Sequence, residues 1–261
     1  MLRVLTSRKW LGALAAAAVF ATAAFLLGRW QWHRYEAKAA NAQRIHTHYG
    51  AAPRPIADVL GPAPVPLARE WTRVSARGTY AASETLLVRN RPLEGNYGYE
   101  VVVPLVLPDG SAVLVDRGWV PNARNAQTLP SVPPAPSGPV AVTGWVHQGE
   151  PSLGKDLPRG QLASISLSDA RRQVPQPLLG GYVVLQSEQT PSGSHPPRPT
   201  PLEKPDTDLG PHQAYAFQWW AGMLAAFVLV LLGARREYLE GDGVGQAPRP
   251  RRVRIWDEED E

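Results

Sequence analysis

The chain contains no cysteine and only two methionines, Met1 and Met223, among its 261 residues. Disulfide bonds, thiolate nucleophiles and thiolate metal ligands are therefore excluded. A carrier of copper(I) would need cysteine or many methionines, so that class of protein is excluded as well. An exported domain without disulfides is compatible with this composition.

Patterns of enzymatic chemistry are also scarce. The sequence has no G-x-S-x-G nucleophile pattern, its glycines favour turns over phosphate-binding loops, and no pair of carboxylates stands out for acid–base work. The net charge of +4 comes from arginines that are scattered or flank apolar segments, which does not indicate a nucleic-acid surface. We therefore expect no catalytic residues, no enzymatic activity and no binding of nucleic acid.

Two long uncharged segments are present instead. They are "WLGALAAAAVFATAAFLLG" at 10–28 and "AYAFQWWAGMLAAFVLVLLG" at 214–233. Each has the length of a bilayer-spanning helix, about 20 residues, so both are predicted to cross a membrane with lipid as a partner. The first could instead be a signal peptide cleaved near Ala21–Thr22–Ala23, but its apolar run is longer than such peptides have.

The orientation follows from basic residues beside the two predicted spans. Arg3, Arg8 and Lys9 precede the first span, and Arg235 and Arg236 follow the second. Positive charges favour the cytoplasmic side, so the tails 1–9 and 234–261 are predicted to be cytoplasmic. The short N-terminal tail favours a bacterial cell membrane over a mitochondrion.

The segment between the spans is predicted to form an external β domain. Residues 29–69 favour a helix that continues outward, followed by a Pro-rich linker, and residues 70–213 contain six or seven short strands. Two apolar runs around Pro108–Asp109–Gly110 predict a hairpin. We expect a mostly antiparallel small barrel or sandwich, a short helix capped by Ser168, and a disordered tail after Gly241.

Aromatic residues and a histidine gather at the outer end of each span. At 100° per residue, His212, Tyr215, Trp219 and Met223 fall on one stripe of the second helix. On the first helix, Trp30, His33 and Arg34 share a face. Because the chain leaves the membrane at the first group and returns at the second, both groups should lie at the same depth.

Two interpretations of these residues stay open. Tryptophan and tyrosine form belts at the interfaces of ordinary membrane helices. Alternatively, the two groups form a ligand site, in which His212 would bind haem iron and Arg34 would suit an anionic group. The pair His46 and His48 is a weaker metal candidate, because no third ligand is near in the sequence.

Five segments, in order along the chain, resemble the Surfeit locus protein 1 family. They are "GRWQWHRYEAK", "RVSARGTY", "VRNRPLEGNYGYEVVVPL", "AVLVDRGWVP" and "GPHQAYAFQWWAG", and the resemblance covers roughly residues 25–235. Asp116 departs from it, because the family often has asparagine there. The Pro-rich segment 190–205 and the charged tail are further departures.

The resemblance implies a two-span assembly factor for haem–copper cytochrome c oxidase that acts in haem a insertion. Cytochrome c oxidase subunit 1 and the haem a synthesis machinery are the implied partners. The family's histidine falls on His212 and its tryptophan on Trp30, and Arg34, Tyr215 and Trp219 complete the predicted cofactor site. The alternative is a two-span scaffold or sensor whose β domain binds a protein or envelope ligand without haem.

Overall fold

The computed structural model describes residues 1–125, 128–193 and 195–241, so most of the predicted C-terminal tail lies outside the described residues. The chain divides into two compact units. One contains the residues up to Ala39 and those from Asp208 onward, and the other is Ala40–Thr207. The helices are α1 (Leu2–Leu5), α2 (Arg8–His48), α3 (Leu167–Ala170) and α4 (His212–Gly241). The strands are β1 (Arg54–Pro55), β2 (Arg73–Tyr80), β3 (Leu86–Leu93), β4 (Asn96–Val106), β5 (Ala112–Pro121), β6 (Pro139–His147), β7 (Gln161–Leu162) and β8 (Leu178–Gln189).

The long helices α2 and α4 are each apolar and long enough to cross a membrane. Alanine-rich sequence without an internal proline favours helix throughout α2, and Gly50 and Pro53 follow its end. One continuous helix thus covers the first predicted span and the outward segment after it.

Small residues of α2 pack against α4 in the helical unit. Ala17, Ala21 and Ala24 are buried at spacings of four and three residues, which places them on one face of the helix. Gly28 continues this face and lies against the ring of Trp220, while Trp10 packs against Gly233. Such pairs of small and large side chains let helix backbones approach closely, as they do in membrane helix pairs.

The second unit is built around an eight-stranded sheet in the order β1-β2-β6-β8-β5-β4-β3-β7. An additional pairing of β2 with β4 joins β2, β6, β8, β5 and β4 into a closed ring, which corresponds to a small barrel. Three pairings are parallel, namely β1 with β2, β3 with β7 and β5 with β8. The expectation of a mostly antiparallel domain is therefore wrong, and the sheet is mixed.

The physical reason for the mixed sheet is the return of β8 to the middle of the sheet. β8 follows a long excursion through β7 and α3, and it inserts between β5 and β6. A crossover connection of that length permits a parallel neighbour, whereas a tight hairpin permits only an antiparallel one. The hairpin predicted around Pro108–Asp109–Gly110 is present between β4 and β5.

The strand β4 is buried on both faces. Val101 and Val103 belong to a core formed by residues of all five ring strands, whereas Val102 belongs to a second core beneath α3. A strand covered on both sides is apolar without alternation, which explains the run "EVVVPLV". Pro104 lies within β4 where its neighbour changes from β3 to β2, so the missing N–H breaks no ladder.

The short helix α3 was predicted, but its N-cap was assigned to the wrong serine. The side chain of Ser166 accepts a hydrogen bond from the N–H of Asp169 at 3.2 Å and caps the helix. Ser168 lies inside the first turn instead. An N-cap residue lies directly before the first helical residue and has an extended backbone, and Ser166 meets both conditions.

Candidate functional site

His212 is the first residue of α4 and is held by the other helix of its unit. Its Nδ1 atom lies 2.8 Å from Oε1 of Gln31 in α2. An amide oxygen only accepts hydrogen bonds, so with Oε1 turned toward the ring the donor in this contact is Nδ1–H. Metal-binding histidines use the same arrangement, in which one ring nitrogen donates to an outer partner and the other, here Nε2, faces the metal.

The turn before α4 brings Gly210 beside the Nε2 edge of His212. Gly210 has a φ of +64°, a conformation that favours glycine. A Cβ atom at this position would lie 3.8 Å from Nε2 of His212 and 3.5 Å from Nζ of Lys38. Lys38 donates a hydrogen bond to the carbonyl of Asp208 at 3.2 Å and so fixes the turn to α2.

The predicted stripe of α4 does not lie as a whole against α2. His212 faces α2, and so do Phe217 and Trp220, whose rings lie near Trp32, while Ala216 between them is fully buried. Tyr215 is 46% exposed and Trp219 is half-buried. Helical spacing fixed the relative angles of these residues, but not which side of the helix meets its partner.

On α2, Trp30 and Arg34 form a pair at the surface of the helical unit. The guanidinium carbon of Arg34 lies 5.9 Å from the centre of the Trp30 ring, which is itself 54% exposed. His33 lies on the same side, 3.3 Å from a guanidinium nitrogen of Arg29 and 3.3 Å from a carboxylate oxygen of Glu36. Trp30 and Arg34 together present a flat apolar face with a fixed positive charge.

A second group of rings, not anticipated from the sequence, packs between the helices. Trp32 lies 5.9 Å from Trp220 and 6.0 Å from Phe217, measured between ring centres. The indole N–H of Trp32 donates to Oε1 of Glu36 at 2.8 Å. Glycine at position 28, one turn before Trp32, was the available sequence signal, because a small residue in a helix accommodates a large one from its neighbour.

Gln31 was also missed as a residue of the site. It is flanked by two tryptophans, and a polar side chain between apolar rings was the signal that could have found it. Its role becomes visible only when the hydrogen bond to His212 is known, because 181 positions separate the two residues.

The weaker histidine candidates do not assemble a metal centre. His46 is exposed, and Nδ1 of His48 lies 2.9 Å from the backbone carbonyl of Glu70. Within the described ranges, no group of three or more His, Cys, Asp or Glu side chains has a geometry that could hold a metal ion. Haem differs from such centres, because its iron takes only one or two ligands from the protein.

Asp116 and Arg117, adjacent in β5, do not pair with each other. Arg117 binds Glu188 of β8 through two nitrogens, at 2.6 and 3.2 Å, and both side chains are fully buried. The hydroxyl of Tyr80 donates to the same carboxylate at 2.8 Å. Burial, followed by the charge of Glu188, raises the pKa of Tyr80, so this hydroxyl keeps its proton. The cluster is a fully paired element of the barrel interior.

Comparisons with known proteins give one consistent result. The family model described as the SURF1 family matches residues 18–224. An uncharacterized SURF1-like protein of Mycobacterium bovis is 31% identical over 225 residues, which cover 83% of this chain and 80% of the relative. A counterpart in Mycobacterium tuberculosis has the same identity and coverage. A SURF1-like protein of Dictyostelium discoideum is 32% identical over 143 residues, 52% of this chain and 51% of that protein.

Proposed function

Since the chain belongs to the SURF1 (Surfeit locus protein 1) family, we propose that it is an assembly factor for haem–copper cytochrome c oxidase. In this role it binds or positions haem a at the membrane boundary, for insertion into subunit 1. It acts by binding and docking, without covalent catalysis. The haem a synthesis machinery is the proposed source of the cofactor.

The helical unit is proposed to be the membrane anchor. Helices α2 and α4 are long and apolar enough to cross a bilayer, and many of their apolar side chains face outward, including Val19, Phe25, Leu229 and Leu232. An apolar surface of this extent is unfavourable in water and favourable in lipid. We place both termini in the cytoplasm and the β domain outside a bacterial cell membrane, following the distribution of basic residues.

The hydrogen bond between Gln31 and His212 is the observation that carries the haem proposal. It sets the imidazole in the tautomer whose Nε2 can bind iron, and it fixes the ring plane from the opposite helix. When bound, the haem would supply an iron centre that accepts this nitrogen. The chain's own contribution is to hold the ring through Gln31, so that Nδ1 carries the proton and Nε2 is the nitrogen left for the iron.

The remaining predicted residues fit the other parts of such a ligand. Trp30 and Tyr215 offer exposed aromatic surface to an apolar macrocycle. Trp219 is half-buried and offers less of its ring. Arg34 stands above the Trp30 ring, where its charge would attract a carboxylate of the cofactor.

One observation favours the alternative of a scaffold or sensor without haem. Trp32, Phe217 and Trp220 contact one another and so account for three of the clustered rings by helix packing alone. If the remaining aromatic residues serve only as an interface belt, their loss would leave no spectroscopic trace. The two hypotheses therefore differ in the effect of one histidine.

The test is purification of the full chain from cells that make haem a, followed by absorption spectroscopy and a haem-to-protein ratio. The His212→Ala variant should lose most of the haem while its yield and thermal unfolding stay close to those of the unmodified protein. His46→Ala is the matched control, because it removes an exposed histidine from the same helix that carries Gln31. Equal haem content in all three proteins would exclude His212 as the ligand and favour the scaffold.

A further inference from the structure

A cavity of about 160 Å³ lies within the β-domain unit, apart from the residues proposed to hold haem. Aromatic rings form one part of its wall. Tyr49 and Trp145 stack with ring centres 4.2 Å apart and planes 5° from parallel. Trp71 meets His147 edge-on at 4.3 Å, and His147 lies 5.3 Å from Tyr182.

The aromatic wall is held in place by the backbone and by one side-chain hydrogen bond. Trp145 donates its indole N–H to the carbonyl of Tyr49 at 3.0 Å, which fixes the stacked pair. Trp71 has a φ of +66°, a left-handed conformation that a bulky residue rarely adopts. Strained conformations of this kind are concentrated at binding and active sites, because the surrounding structure must hold them.

Carboxylates form the other part of the wall. Asp116 is 1% exposed and lines the cavity, and its Oδ1 accepts a hydrogen bond from the N–H of Gly118 at 3.0 Å. Its Oδ2 is buried and has no hydrogen-bond partner in the part of the chain that the structure describes. A buried polar atom in this state costs free energy unless a ligand binds it.

Arg91 supplies the positive charge near the cavity, but it pairs with two glutamates and not with Asp116. Glu100 and Glu150 also line the cavity, and both pair with Arg91, at 2.8 and 2.5 Å. The N–H of Arg91 Nε lacks hydrogen-bond geometry toward Glu100, so that contact is an ion pair only. Burial disfavours the charged carboxylates, so it raises the pKa of Asp116 and raises that of Glu100 to about 7. A bound cation would offset the free-energy cost of keeping these carboxylates charged.

We propose that this cavity binds an organic cation, an alkylammonium or alkylguanidinium group, between the aromatic wall and the carboxylate of Asp116. Ring faces attract cations through their quadrupole, and a carboxylate with an unused oxygen supplies a charged acceptor. An anion would meet four carboxylates, those of Glu100, Asp116, Glu150 and Glu203, and a neutral apolar ligand would leave Oδ2 unpaired. The described side chains offer no group of ligands for a metal ion.

The cavity volume limits the size of the ligand. An engineered protein cavity of about 150 Å³ holds one benzene molecule. The group that enters should therefore have about six heavy atoms, which matches the end of a lysine or arginine side chain or a free short-chain amine. This inference is independent of haem and holds whether or not the proposed function is correct.

The test measures binding of n-butylammonium to the full chain in detergent by isothermal titration calorimetry, with 1-butanol as a neutral probe of the same shape. We expect saturable one-to-one binding of the cation, and no saturable binding of the alcohol. The peptide acetyl-Gly-Lys-Gly-amide forms a second arm. Tighter binding of the peptide would assign the site to a partner's side chain, and tighter binding of the amine to a free small molecule.

Two variants test the assigned residues. Asp116→Asn keeps an acceptor for the N–H of Gly118 but removes the charge, so cation affinity should fall about tenfold or more. Asp109→Asn, in the exposed turn between β4 and β5, is the control and should bind as the unmodified protein does. Should Asp116→Asn not fold, the comparison of cation and alcohol on the unmodified protein decides alone. Equal binding of both probes, or binding of neither, would overturn the proposal.

Discussion

The imidazole of His212 and the amide of Gln31 are joined by a hydrogen bond of 2.8 Å that connects the first turn of α4 to the middle of α2. Neither residue lies on the β domain, although that domain separates them in the chain. The bond therefore makes the state of the proposed iron ligand depend on the pairing of the two helices.

Replacing Gln31 tests this dependence. Gln31→Leu removes the acceptor for Nδ1–H with little change in volume, so we expect haem affinity to fall by about 10–100-fold, the usual effect of losing an outer partner of a metal ligand. Gln31→Glu retains an acceptor and should keep most of the haem. Gln43→Leu, an exposed glutamine of the same helix, is the control. Haem retained by Gln31→Leu but lost by His212→Ala would show that ring orientation is unimportant.

Gly28 tests the contact between the helices. A Cβ atom at this position would lie 2.3 Å from Nε1 of Trp220, so Gly28→Ala should push the indole away and lower the free energy of unfolding by about 1–3 kcal/mol. Gly12→Ala makes the same change on the same helix with nothing within 4 Å, and it should be neutral or slightly stabilising. Thermal unfolding in detergent measures both. Equal behaviour of the two variants would contradict the packing described for Gly28.

The buried ion pair between Arg117 and Glu188 predicts a large loss of stability when one partner is removed. Glu188→Ala should cost about 3–5 kcal/mol, because it leaves a buried guanidinium uncompensated. Replacing both residues, with methionine at 117 and leucine at 188, should recover much of that loss. Urea unfolding followed by circular dichroism provides the measurement.

The control for the buried pair is Glu84→Ala. Glu84 pairs with Arg159 at 3.8 Å, and the arginine side chain is 81% exposed, so the loss should stay within about 1 kcal/mol. If Glu188→Ala cost no more than Glu84→Ala, the buried cluster would contribute nothing specific to the barrel.

Glu100 predicts a dependence of stability on pH. Burial is the main cause that raises its pKa from 4.5 to about 7, against the opposing effect of Arg91. Between these values the folded protein holds a proton that the unfolded chain has lost, so this contribution to stability falls as pH rises. Glu100→Gln removes the effect and should be more stable than the unmodified protein at pH 8, by about 1–3 kcal/mol. The gain should vanish near pH 4.5.

Asp109 gives the opposite sign and serves as the comparison for Glu100. Hydrogen bonds from the hydroxyl and N–H of Ser111 lower the pKa of Asp109, so its contribution to stability is lost as pH falls. Relative to the unmodified protein, Asp109→Asn should be less stable above pH 3.8 and should converge with it below that value, whereas Glu100→Gln should become more stable as pH rises from 4.5 to about 7; unfolding midpoints from pH 2 to pH 8 measure both. Parallel curves would contradict both assignments.

Local chemistry made several elements predictable from the sequence. The two apolar helices follow from uninterrupted apolar segments, and the β4–β5 hairpin follows from the turn residues Pro108, Asp109 and Gly110. Both signals lie within a short stretch of chain. The family was recognised by the order of five such stretches, and the comparisons confirmed it.

The features that were missed depend on residues far apart in the chain. The parallel pairing of β5 with β8, the ion pair between Arg117 and Glu188, and the bond between Gln31 and His212 all join distant segments. Sequence periodicity gives the angle between residues of one helix, but not the side that faces a partner. It therefore could not indicate that Ala216 is fully buried and that Trp220 lies against Gly28 of α2, while Tyr215 is 46% exposed.

The two contacting faces of α2 and α4 are synthesised at different times. Ala17, Ala21, Ala24 and Gly28 leave the ribosome early, but Trp220 is made only after the whole β domain. At about 5–20 residues per second, roughly 10–40 s separate the two faces during translation. Throughout that interval the first helix exists without its partner, and the proposed haem site cannot form until the last helix has been made. If the proposal is correct, a nascent chain is unable to bind haem there before its β domain has been synthesised.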